Sequence, residues 1–107
     1  MKAKDIRVGG IYVNKGAGRT MRRVVNIIDK DDPQYEALIG LGKPKWFSWN
    51  KRPDCPIVVY VELKVIARQV INMPKEYLYM KSFSQWAGSE VAFFEVGDLR
   101  VCDDQGQ

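Results

Sequence analysis

Residues 57–66 read IVVYVELKVI, from Ile57 to Ile66. Ile57, Val59, Val61, Leu63 and Val65 share one parity and are all apolar, while Val58, Tyr60, Glu62, Lys64 and Ile66 fall on the other. A period of two sustained over the run specifies a β-strand whose first face points into a core.

Toward the N-terminus the chain also reads as β structure. Asp5 to Gly10 is an approach segment closed by two glycines, and Ile11-Tyr12-Val13 is a short β-prone run. Asn14 to Gly18 supplies turn residues, and Arg19 to Ile28 a longer strand, which together make a hairpin with a loop of more than two residues. Met21, Val25 and Ile27 share parity in that strand while Val24 and Ile28 oppose them, so both faces should carry burial, as in a strongly bent strand. Asp29 to Pro33 ends it. Residues 34–56 show no long period. QYEALIGLG (34–42) fits one or two helical turns closed by Gly40 or Gly42, and four of the five prolines fall between 33 and 56.

Toward the C-terminus, ARQVINMPKE (67–76) reads as a loop or hairpin return, with Met73-Pro74 opposing helix, and Glu76 to Met80 as a short strand. Ser82 and Gln85 have capping-box spacing, and Phe83, Trp86, Ala87, Val91 and Phe94 follow as an apolar helical stripe. Gly88 weakens that helix, and VAFFEV (91–96) competes as strand. Residues 95–102 give a last turn and strand. The expected architecture is mainly β: a small, SH3-like, strongly bent barrel of about five short strands with one C-terminal helix. An α+β antiparallel sheet covered by one helix is the alternative. One domain should span 1–102, with a Pro-rich insertion at about 30–56 and a polar tail at 103–107.

Composition narrows the chemistry. The 107 residues suit a single domain, and 46% hydrophobic with 28% charged residues is ordinary for a globular chain. Histidine is absent, which removes the commonest general base and metal ligand and every Ser-His or Cys-His nucleophile pair. Cys55 and Cys102 cannot make a four-ligand zinc site and are read as two thiols; a bridge would need an oxidising compartment. Asp54 beside Cys55 would raise the thiol's pKa, the wrong direction for a nucleophile. No enzyme, metal or cofactor is expected. MKAKDIRVGG at the start lacks the apolar core of a signal peptide, and no apolar run reaches the ~20 residues of a membrane span, so a cytoplasmic location is expected.

Net charge is +4, divided as +7 over residues 1–53 and −3 over 54–107. Two basic groups stand out. In GKPKWFSWNKRPD (42–54), Lys43, Lys45, Lys51 and Arg52 surround Trp46, Phe47 and Trp49. The aromatics either fold back as lids on the core or offer stacking faces beside phosphate-binding cations. The second group is Lys15 in the turn with Arg19, Arg22 and Arg23 at the start of the next strand. It reads either as a solvated hairpin edge or as an anion-binding pair beside backbone donors. The helix stripe reads as core, with a protein-binding groove or dimer contact as its other use.

VGGIYVNKGAGRTMRRVVNI (8–27) resembles the opening hairpin of SH3-like barrel modules, including the KOW-type modules of ribosomal and transcription proteins. Combined with LYMKSFSQWAGSEV (78–91), it is similar to small uncharacterised accessory proteins of phages and prophages. The chain departs from KOW modules in its Pro-rich insertion and C-terminal helix. The resemblance implies a phage-accessory role in the host cytoplasm. The expected function is a non-enzymatic binding module that engages a host or phage protein. A nucleic-acid-binding module using the basic-aromatic loop and the Arg-rich hairpin is the alternative.

Overall fold

The run read first is a strand over its full length. A computed structural model describes residues 1–16, 20–45 and 53–91. Their elements are a 3₁₀ turn (Ala3–Asp5), β1 (Ile11–Asn14), β2 (Met21–Ile28), α1 (Pro33–Gly40), β3 (Ile57–Ile66), β4 (Gln69–Tyr79), α2 (Met80–Trp86) and β5 (Ala87–Val91). The strands form one antiparallel sheet in the order β4-β3-β2-β1-β5, with β4 and β5 at its edges among the described residues. The fold is mainly β.

α2 carries the chain from one edge strand to the other. Its seven residues span only about 10 Å along the axis. Strands four positions apart in a flat sheet would lie about 19 Å from each other. The sheet therefore curls toward α2.

Register shifts explain the mixed patterns. Val24 pairs with Tyr60 and Asn26 with Val59, so Val25 is an extra residue at a bulge. The bulge reverses parity: Val24 and Ile27 pack on the α2 side, while Met21 and Ile28 pack on the other. A second bulge lies between Val61↔Lys75 and Leu63↔Asn72 and takes up Met73-Pro74. Proline is tolerated there because β4 is an edge strand and the bulge removes a ladder bond. Of the two expectations for 67–76, a loop or a hairpin return, the second holds: residues 69–75 are strand. The β3–β4 turn is Ala67-Arg68, both at positive φ (51° and 64°), the two-residue type I′ geometry without its usual Asn-Gly.

Helices depart from expectation in number and position. Among the described residues two α-helices are present rather than one. α1 lies inside the 30–56 stretch: the Asp32 side chain accepts from Gln34 N–H at 2.8 Å and Pro33 opens the first turn. It closes as a Schellman motif, with Gly42 at φ 68°, Gly42 N–H donating to Ile39 O and Lys43 N–H to Leu38 O. α2 starts at Met80, two residues before Ser82, with no side-chain cap, and ends at Trp86. Ala87 to Val91 leave the expected helix to pair with β1. Gly88 sits where the β1–β5 register shifts, and a Cβ there would lie 2.9 Å from Lys15 Cα. Close approach of backbones, added to glycine's poor helix propensity, favours strand over helix.

The core lies on both sides of the sheet. Under α2, Phe83 contacts Tyr12 edge-to-face (centroids 5.8 Å apart) as well as Tyr60 (5.5 Å) and Trp86 (5.3 Å). Val24, Val58, Met80 and Ala87 complete that cluster, so the second face of β3 is buried too in its first half. On the other side, Ile11, Met21, Val61 and Leu63 form one group, and α1 seats Tyr35 on Ile28, Ile57, Val59 and Tyr79 in another. The Tyr35 hydroxyl donates to Cys55 O at 2.8 Å, and Lys30 pairs with Asp54, which ties the segments flanking α1 to the start of β3. Cys55 is a half-buried free thiol. Cys102, Phe94 and the 103–107 tail lie outside the described residues. No helix among the described residues is long and apolar enough to cross a membrane.

Candidate functional site

Strand alternation divides the Arg-rich group. Arg22 pairs with Tyr12 and Glu62 and shares the α2 side, while Arg23 pairs with Ile11 and Val61 on the opposite side. Lys15 is exposed in the turn; its backbone N–H donates to Trp86 O at 3.1 Å, which places it beside the end of α2. Arg19 lies outside the described residues, as do Trp46, Phe47, Trp49, Lys51 and Arg52. The lid and stacking readings of those aromatics thus lie outside the described residues.

Lys43 and Lys45 fall within them. Pro44 between the two is fully buried and anchors the segment that follows α1, while both lysines are exposed. They line a cleft of about 350 Å³ together with Tyr60, Lys75, Glu76 and Tyr77. Lys43 Nζ stands 5.8 Å from the Tyr77 ring centroid, a cation–π contact at the outer limit of useful range. Three lysines and one glutamate line this cleft, so its net charge attracts anions, and the phenol rings add apolar surface. Lys75 and Tyr77 are on β4, the edge strand. The sequence had concealed Lys75 because 67–76 lacks turn residues at its tip and carries a proline, and so reads as loop.

Tyr60 joins this cleft to a second feature. The Arg22 guanidinium lies 4.7 Å from the Tyr60 centroid and 4.2 Å from that of Trp86. Both rings are fixed by Phe83 beneath them. Burial holds the Tyr60 hydroxyl above its ordinary pKa; Arg22 opposes that shift, and Glu76 and Glu62 add to it. Arg22 Nε is closed off from water and has no hydrogen-bond partner among the described residues. Tyr60 thus stands between Arg22 on the α2 side and the cleft at the β4 edge, where Lys75 and Tyr77, paired with Val61 and Val59, belong to the opposite face; Arg22, Lys43 and Lys45 are expected from sequence, Lys75 is not. Trp86, read as part of a core stripe, is half-buried and holds Arg22.

Among the described residues, no group of three or more Cys, Asp or Glu could hold a metal ion. Comparison of the chain with protein-family models, with curated proteins and with solved structures gave no match, so the site's own geometry carries the functional argument.

Proposed function

We propose that the chain is a small non-enzymatic binding module of SH3-like build, an accessory protein of phage or prophage type, and that it engages an acidic segment of a host protein. The curled sheet, whose edges are joined by one short helix, supports the barrel-like reading. The observation that carries the function is the contiguity of an open strand edge with a cationic cleft. An extended peptide can add to β4 through main-chain hydrogen bonds, and its acidic side chains then reach Lys43, Lys45 and Lys75. Beyond Leu63 the β3–β4 hairpin leaves β2 behind and exposes Ile66 and Ile71, which lengthens that edge with apolar surface.

Nucleic acid is the second reading, favoured by the three lysines beside Tyr77. A single strand held by three phosphate contacts would weaken roughly twentyfold between 50 and 200 mM salt. Fluorescence anisotropy decides between them, with a labelled Glu-rich extended peptide and a labelled single-stranded oligonucleotide titrated at both salts. The peptide should bind, lose affinity on Lys43→Glu and Lys75→Glu, and lose it again when alternate peptide nitrogens are methylated. Oligonucleotide binding with the steep salt slope, and no peptide binding, would replace the protein reading with the nucleic-acid one.

A further inference from the structure

Four residues form a row across the α2 side of the sheet: Glu90 on β5, Tyr12 on β1, Arg22 on β2 and Glu62 on β3, each directly opposite the next. Both acids in that row have other cations. Arg7 Nη2 meets Glu90 Oε2 at 2.7 Å, and Lys64 Nζ stands 3.9 Å from Glu62 Oε2. The Tyr12 hydroxyl is also occupied, accepting from Arg7 N–H at 2.8 Å and donating to Asp5 O at 3.2 Å. Arg22 is left with two aromatic rings and, among the described residues, no hydrogen-bond acceptor.

Cation–π contact uses the π face of a guanidinium and leaves its in-plane N–H donors unspent. Of the guanidinium N–H groups only Nε is closed off without an acceptor, so the Nη edge is the one left for an incoming oxyanion. The rings also hold the side chain in one place, so little rotamer freedom remains to be lost when a ligand binds. From these observations we infer that Arg22, held by Trp86 and Tyr60, is a pre-formed receptor for a carboxylate of the bound partner. A planar carboxylate accepts two parallel N–H bonds from the guanidinium edge. Glu62 stands directly opposite Arg22, so a monoanion is tolerated there better than a phosphate dianion. The inference rests on the protein-partner reading only for the source of the carboxylate; the receptor itself belongs to the free chain.

The test is an NMR titration of the ¹⁵N-labelled chain with sodium acetate, following the Arg22 side-chain N–H and Trp86 indole resonances. Sodium chloride and inorganic phosphate serve as parallel arms. Acetate should shift both resonances saturably while chloride does not, and Arg22→Lys should weaken the response about tenfold or more, since the fork geometry is lost. Trp86→Phe, which keeps a ring and tests the clamp without deleting the charge, should weaken it less. Tighter binding of phosphate than acetate would overturn the carboxylate assignment. Shifts no larger with acetate than with chloride would reduce Arg22 to a packing residue, whatever Arg22→Lys does to thermal stability. Because acetate replaces the peptide, failure here and failure of peptide binding are separate results.

Discussion

Tyr12 and Tyr60 show how a single side chain ties the core to solvent conditions. Both rings pack on Phe83, both are nearly inaccessible, and burial is the main cause that holds each hydroxyl above its ordinary value near 10. In the unfolded chain these phenols ionise around that value, whereas in the fold they keep their protons to higher pH. The unfolded state then binds fewer protons, so stability falls as pH rises. The contribution is complete below about pH 10 and disappears as pH climbs through the folded values. Urea midpoints should therefore be flat from pH 7 to 9 and decline above it, and Tyr60→Phe should make the decline shallower. An unchanged slope in Tyr60→Phe would show that its ionisation is not linked to folding. At this level the sequence was partly legible. Arg22, Lys43 and Lys45 could be picked out by charge, but nothing local marked Tyr60 or Trp86 as the groups that hold Arg22, because those contacts join β2, β3 and α2.

Among the elements, β4 departs furthest from its local signals. Its tip, Ala67-Arg68, adopts positive φ at two residues that carry a Cβ, a conformation costing about 1–2 kcal/mol per residue for most side chains. Pairing along β3 from Ile57 to Ile66 holds it there. Ala67→Asn keeps the turn and relieves part of that cost, since asparagine visits the left-handed region more readily. The variant should gain about 0.5–1 kcal/mol in chemical denaturation. Destabilisation would mean that Ala67 makes a contact outweighing the backbone term. α2 and β5 teach the complementary lesson. The apolar stripe from Phe83 to Val91 fits a helix, yet it divides at Trp86 because β1 has a free edge to satisfy and Gly88 allows the backbones to meet. α1, by contrast, carries its own start and stop signals in Asp32-Pro33 and Gly42, and the sequence allowed one or two turns over 34–42 without counting them as a second helix.

For the fold as a unit, stability should be uneven. Residues 57–63 of β3 lie between two strands, whereas beyond Leu63 the β3–β4 ribbon pairs only with itself among the described residues. A two-stranded ribbon with exposed Ile66 and Ile71 has little to hold it when its hydrogen bonds open. Amide exchange over 64–72 should run at least about tenfold faster than over 57–63. Binding of an acidic peptide along β4 should slow the ribbon's exchange; exchange as slow as the central strand in the free chain would contradict an open edge. The sequence by itself determined the mainly β class, the exact span of β3 and the first hairpin. Each of those follows from period or turn residues, which act between near neighbours. Only the tertiary structure decided the parity changes at Val25 and at Met73-Pro74, the strand beyond Trp86, the seating of Arg22 on Tyr60 and Trp86, and the meeting of Lys43, Lys45 and Lys75 in one cleft at the β4 edge. Those depend on which strand lies beside which, and that pairing is set by burial and backbone hydrogen bonding between residues far apart in the chain.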